Sequence, residues 1–144
     1  MRLVIDTNLW ISGLLWRGLP RQLLRLAESH QVELCVTPPM LAELSRVFAY
    51  PKFESRLTQS GLSVPDLMAY VFGLVSVFEA PTEPAIVVAD PTDDIFLHCA
   101  AIAQAAYVIS GDQHLLDLGS YQNIPILTVR DFFAKEFPDE LQSV

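Results

Sequence analysis

Four carboxylates occupy positions from which they could act together. Asp6 follows the apolar run Leu3-Val4-Ile5, and Glu43 lies in Met40-Leu41-Ala42-Glu43-Leu44. Asp94 closes the run Asp90-Pro91-Thr92-Asp93-Asp94, and Asp112 follows Tyr107-Val108-Ile109-Ser110-Gly111. Carboxylates a few ångströms apart either raise one another's pKa or require a cation. Hard oxygen donors select Mg²⁺ or Mn²⁺, and Mg²⁺ keeps several of its waters. Such an ion polarises a phosphodiester and delivers hydroxide for in-line attack, and two ions about 3.5–4 Å apart would clamp both attacking and leaving oxygens. The chemistry implied is metal-dependent phosphodiester hydrolysis.

Each acid also has a plainer role open to it. Asp6 and Asp112 stand where a helix N-cap belongs, Asp93 and Asp94 suit the positive end of a helix, and Glu43 is spaced i,i+3 from Arg46. Convergence of all four on one edge is what favours chemistry, and that depends on the elements carrying them.

The β-branched pair Val4-Ile5 in the run Leu3 to Ile5 favours a central strand with Asp6 at its carboxyl end. Leu9 to Leu15 reads as a helix or tight loop, and Gly18-Leu19-Pro20 opens a helix reaching about His30, the proline falling in its first turn. Val32 to Thr37 reads as a second strand. Pro38-Pro39 end it and open a helix over 39–49, whose apolar stripe of Met40, Leu41, Leu44, Val47 and Phe48 has Glu43 at its margin. Short helices follow near 51–60 and from Pro65 to about Leu74, then a strand near Val75 to Phe78. Thr92 to Ala105 is apolar nearly all round, as expected of a helix buried on several sides. A strand at Tyr107 to Ser110, a short helix over Gln113 to Leu118, a strand at Ile124 to Val129 and a last helix from Asp131 complete the chain. Strands alternating with helices predict a parallel α/β sandwich with right-handed crossovers. Asp6, Asp94 and Asp112 then share one sheet edge, and the helix bearing Glu43 starts from it.

At 144 residues, with no linker, repeat or low-complexity stretch, the chain reads as a single domain over 1–144. No apolar run approaches the length of a membrane span and no leader-like segment stands at the start, so the expected location is cytoplasmic, without a membrane partner. Cys35 and Cys99 lie in apolar surroundings without CxxC spacing, which predicts buried free thiols. The net charge of −8 argues against a binder held by a broadly basic surface. The charge is uneven: residues 1–78 carry seven basic and six acidic side chains, residues 79–144 two and eleven. A polyanion could still be received on the first half.

In order and spacing, with eighteen residues from Asp94 to Asp112, these motifs resemble those of the PIN-domain nucleases over essentially the whole chain. The similarity is greatest to the bacterial and archaeal branch that forms the toxins of toxin–antitoxin pairs. The resemblance implies a three-layer α/β/α sandwich around a parallel, five-stranded sheet. It also implies that Asp6, Glu43, Asp94 and Asp112 bind Mg²⁺ or Mn²⁺ and activate water for RNA cleavage. Asn8 and Ser110 match supporting polar positions, with Thr7 beside them, and Asp93 competes with Asp94 for its place. Ser110 stands where the family often has Thr and keeps the hydroxyl. Implied partners are an RNA substrate, a cognate antitoxin and a second copy in a homodimer.

Arg17, Arg21 and Arg25 recur every four residues and are weaker candidates for RNA phosphates or an acidic antitoxin tail, against the plainer reading of a solvated helix face. His98 reads as an interior histidine and His114 as a rim contact. Trp10 and Trp16 read as core or dimer-interface residues, and Phe132, Phe133 and Phe137 as the packing face of the last helix. A phosphatase using a strand-end Asp nucleophile would want an acid two residues on, where Asn8 stands. A dinucleotide site would need a glycine-rich turn, which Asp6-Thr7-Asn8-Leu9 is not. The remaining rival is a PIN-like RNA-binding or assembly module with an inactive site.

Overall fold

The computed structural model describes residues 1–79 and 91–143, without the side chains of 91–94 and 142–143. Asp90 lies outside the described residues, and Asp93 and Asp94 are described by their backbone alone.

The apolar runs form a sheet in the order β3-β2-β1-β4-β6-β5. β1 is Arg2–Ile5, β2 Glu33–Val36, β3 Val75–Val77, β4 Tyr107–Ile109, β5 Ser120–Tyr121 and β6 Ile124–Leu127. β1 pairs in parallel with β2 and β4, β2 with β3, and β4 with β6. In register, Val4 faces Val108 and Ile5 faces Ile109, all four buried, as strands covered on both faces require. The five parallel strands match expectation. β5 is an addition: it pairs antiparallel to β6 through Gln122 and Asn123, both at positive φ (50° and 66°), the geometry of a two-residue hairpin turn.

The helices are α1 Thr7–Leu15, α2 Leu19–Glu28, α3 Pro38–Phe48, α4 Glu54–Ser60, α5 Val64–Leu74, α6 Pro91–Ala103, α7 Gln113–Leu118 and α8 Val129–Glu136. α6 packs on β1, β2 and β4, while α8 packs on β6 and α2, so the central strands are enclosed in a three-layer α/β/α sandwich. Prolines in the first turns of α2, α3 and α5 cost no backbone bond, because the first amides of a helix have no intrahelical acceptor. α8 begins two residues before the expected Asp131, because the Thr128 hydroxyl accepts the Asp131 amide at 3.1 Å. Phe132 and Phe133 are fully buried and meet Tyr107 and Phe137 in a cluster of tilted and edge-on rings, as the packing-face reading expects. Trp10 belongs to the core, whereas Trp16 is 41% exposed beside Phe53. Among the described residues no helix is long and apolar enough to cross a membrane.

Candidate active site at the β1–β4 seam

The connection after β1 leads to β2 on one side of it, and β4, which follows β3, enters on the other side and leads on to β6. The chain therefore reverses direction across the sheet between β1 and β4. In open α/β sheets the crevice beyond the carboxyl ends of the strands at such a point is where ligands bind. Asp6 is the residue after β1, and Ser110-Gly111-Asp112 follow β4.

Backbone bonds fix the residues on both sides of this seam, one across it and one from β4 to β6. The Asp6 amide donates to the Ile109 carbonyl at 3.2 Å and the Ser110 amide to that of Leu127 at 2.9 Å. Asp6 is 5% exposed, and its two oxygens divide their work. Oδ1 accepts the Leu9 amide at 2.8 Å, the N-cap role of α1; Oδ2 accepts the Ser110 hydroxyl at 2.6 Å and the Gly111 amide at 3.2 Å. Burial pushes the Asp6 carboxyl above the usual carboxylate range, an effect opposed by these three donors and reinforced by the nearby charge of Asp112.

Asp112 likewise has a structural task, accepting the His114 amide at 2.9 Å as the N-cap of α7 while its own amide donates to the Ser110 hydroxyl at 2.9 Å. The Ser110 side chain, itself fully buried, thus joins the two acids. Glu43 reaches the same place from α3: the Thr7 hydroxyl donates to its Oε2, and Arg46 lies 3.6 Å from its Oε1. Every plain role expected of Asp6, Asp112 and Glu43 is realised, and the three acids nevertheless line one pocket of about 220 Å³. Thr7 and Asn8 line it as well, and so does Phe96 of α6, the helix whose first turn contains Asp93 and Asp94.

The donor set is all oxygen and all anionic. Among the described residues neither Asp6 nor Asp112 has an ion-pair partner, and no three acids are close enough to form a metal cage on their own. A hard divalent cation that takes one or two carboxylates and keeps its waters fits this set.

A family model for the PIN domain matches residues 2–114. The chain belongs to the PIN-domain family. The match spans β1 to the first residues of α7 and so includes the whole seam. Among solved structures, the PIN fold seen here is similar to a chain in the crystal structure of VapBC2 from Rickettsia felis bound to a DNA fragment from their promoter. The identity is 12%, the TM-score 0.58, and the alignment covers 88% of this chain and 97% of that one. No curated protein matches the chain.

The other candidates fall elsewhere. Arg21 and Arg25 line a separate groove of about 750 Å³ with Glu28 and Tyr70, and Arg21 donates to the Gly13 and Leu14 carbonyls, both at 3.4 Å. Arg17 is exposed in the connection between α1 and α2. His114 is exposed beside Asp112, and His98 is half-buried in α6. Three residues that the motifs did not single out as site residues, Arg46, Tyr50 and Lys52, line the acid pocket. The spacing of Arg46 from Glu43 was a signal for the first of them; the other two reach the pocket through the turn after α3.

Proposed function

We propose that this PIN domain is an endoribonuclease that hydrolyses RNA phosphodiester bonds with Mg²⁺ or Mn²⁺. The observation that carries the reading is the opening of Asp6, Glu43 and Asp112 onto one pocket at the β1–β4 seam. Asp6 and Asp112 would hold the ion with Glu43, and Asp94, in the first turn of α6, would complete the set, with Asp93 as its alternative. The bound ion would supply a water acidic enough to act as nucleophile at neutral pH and neutralise charge on the scissile phosphate. Ser110 and the Leu9 and Gly111 amides hold the Asp6 carboxylate in place, and the Thr7 hydroxyl fixes one oxygen of Glu43. Asn8 is exposed at the mouth and is free to meet substrate.

The motif resemblance and the fold shared with VapBC2 support a place in a toxin–antitoxin pair, with a cognate antitoxin covering the cleft or a groove beside it. The motif resemblance alone implies a homodimer as well.

The test is cleavage of a panel of structured RNAs by the purified chain in Mn²⁺, Mg²⁺ or EDTA, with Asp94→Asn in parallel. Divalent-dependent cutting that is lost in the variant supports the reading. A folded chain that binds RNA and cuts none with any metal would instead be a binding or assembly module.

A further inference from the structure

A pocket lined by carboxylates in a chain of net charge −8 repels the very polyanion it is proposed to cut. One or two bound cations would offset the charge at the scissile phosphate, but not that of its neighbours along the strand. Positive side chains near the pocket are therefore required, and the chain has only nine in all. Two of them, Arg46 and Lys52, line the pocket itself, with Tyr50 between them in sequence.

We propose that Arg46 and Lys52 form the phosphate-binding rim of the acid pocket, with Tyr50 as the residue that positions Arg46; the inference rests on the ribonuclease reading above.

Arg46 projects from the last turn of α3, three residues after Glu43. It touches Glu43 through one nitrogen at 3.6 Å, longer than a hydrogen bond, and its side chain is 58% exposed. A guanidinium has five donors in a planar fork suited to phosphate. Its remaining contacts are with Tyr50, whose hydroxyl accepts from Nη1 and whose ring lies 5.7 Å below the guanidinium carbon. The head group is thus aimed by Tyr50 and Glu43 while most of its donors stay available.

Lys52 sits on a hydrogen-bonded turn. The Tyr50 amide donates to the Val47 carbonyl at 3.0 Å, the Phe53 amide to that of Tyr50 at 3.0 Å, and Pro51 opens the 3₁₀ turn Pro51–Phe53. The ammonium stands 5.1 Å above the Phe53 ring, which itself packs against the core. Being exposed, Lys52 can present its charge to a strand entering from solvent. By contrast, Arg21 in the larger groove is already turned toward carbonyls of α1, and it faces no acid of the pocket.

The experiment is fluorescence anisotropy of a labelled single-stranded RNA on the full chain, with Ca²⁺ in place of Mg²⁺, for Arg46→Ala, Lys52→Ala and Tyr50→Ala. Lys135→Ala, exposed and set against Tyr107 at the opposite end of β4 from Asp112, is the charge control. Arg46→Ala and Lys52→Ala should each weaken binding about three- to tenfold and reduce the slope of log Kd against log salt by about 0.7, the value for one phosphate contact on a single strand. Tyr50→Ala should weaken binding, and Tyr50→Ala combined with Arg46→Ala should bind no worse than Arg46→Ala alone, because Tyr50 acts through Arg46. Additive losses would remove Tyr50 from the positioning role. A variant with a lowered Tm is replaced by Arg46→Gln or Lys52→Gln. Binding and slope equal to the parent's in both charge variants, or an equal loss in Lys135→Ala, would overturn the rim. The nuclease reading fails on a different result, the absence of divalent-dependent cutting by the parent chain.

Discussion

The Ser110 hydroxyl donates to Asp6 Oδ2 at 2.6 Å across the seam between β4 and β1, and its oxygen accepts the Asp112 amide at 2.9 Å. One fully buried side chain therefore holds an acid from each of two adjacent strands whose sequence positions are 104 residues apart at the Asp6 contact.

Ser110→Ala should cost stability and activity together. Removing the hydroxyl takes a donor from a buried carboxylate and an acceptor from a backbone amide. A hydrogen bond to a charged group contributes about 1.5–3 kcal/mol, so unfolding in urea should show a loss of about 2 kcal/mol. Cleavage should fall as well, since Asp6 keeps only the Leu9 and Gly111 amides to fix it. A variant with parental stability would mean that the Ser110 bond contributes nothing net.

If the acid pocket holds a divalent cation, adding Mg²⁺ or Mn²⁺ should raise Tm in proportion to the logarithm of its concentration, reaching about 2.7 kcal/mol of stabilisation at a hundred times Kd. Asp112→Asn should flatten that response while leaving the His114 amide an oxygen to donate to, so the α7 cap survives. Differential scanning fluorimetry against metal concentration reads the effect. An equal Tm response in the variant would remove Asp112 from the ligand set.

The strands and the three described acids were legible because the signals are local. β-branched runs such as Val4-Ile5 and Val108-Ile109 mark strands, and an acid just past each is visible by position alone. Proline pairs mark the start of α3 for the same local reason. β5 was not legible: two residues long, it is defined by the Gln122-Asn123 turn, where the weak signal was an asparagine able to adopt positive φ. Tyr50 and Lys52 were missed as site residues because the 3₁₀ turn, not any motif, returns them to the pocket. Arg21 and Arg25 share one groove, as their helical spacing predicts, but spacing alone does not say that this groove is separate from the acid pocket.

Gly13→Ala should destabilise the fold without touching the site. A Cβ there would meet the Pro20 carbonyl oxygen at 2.9 Å and Leu24 Cδ1 at 2.9 Å, where α1 and α2 approach each other. Leu24 has a flexible end and can move, but the carbonyl belongs to the backbone of α2. Overpacking of this kind costs about 1–3 kcal/mol, to be measured by denaturant unfolding, with the metal response of Tm retained.

The two buried thiols should make stability fall as pH rises into the alkaline range. Cys35 is in β2 and Cys99 in α6, both free and buried. Burial pushes Cys35 up to about 11 and Cys99 up to about 12, the second also raised by its proximity to the first. At pH 8 the folded chain therefore holds roughly one thiolate in a thousand or fewer at either position. A thiol reagent should react only as fast as the chain opens, and should titrate both groups at once in denaturant. Between the unfolded value near 8.5 and the folded values, the folded state keeps protons that the unfolded state has lost, so stability declines as pH rises through that window. Cys35→Ala/Cys99→Ala should lose this alkaline decline while also paying for two small cavities at neutral pH. Urea midpoints from pH 7 to pH 10.5 for parent and double variant would show it: parallel curves would mean that the thiols do not govern the alkaline limit.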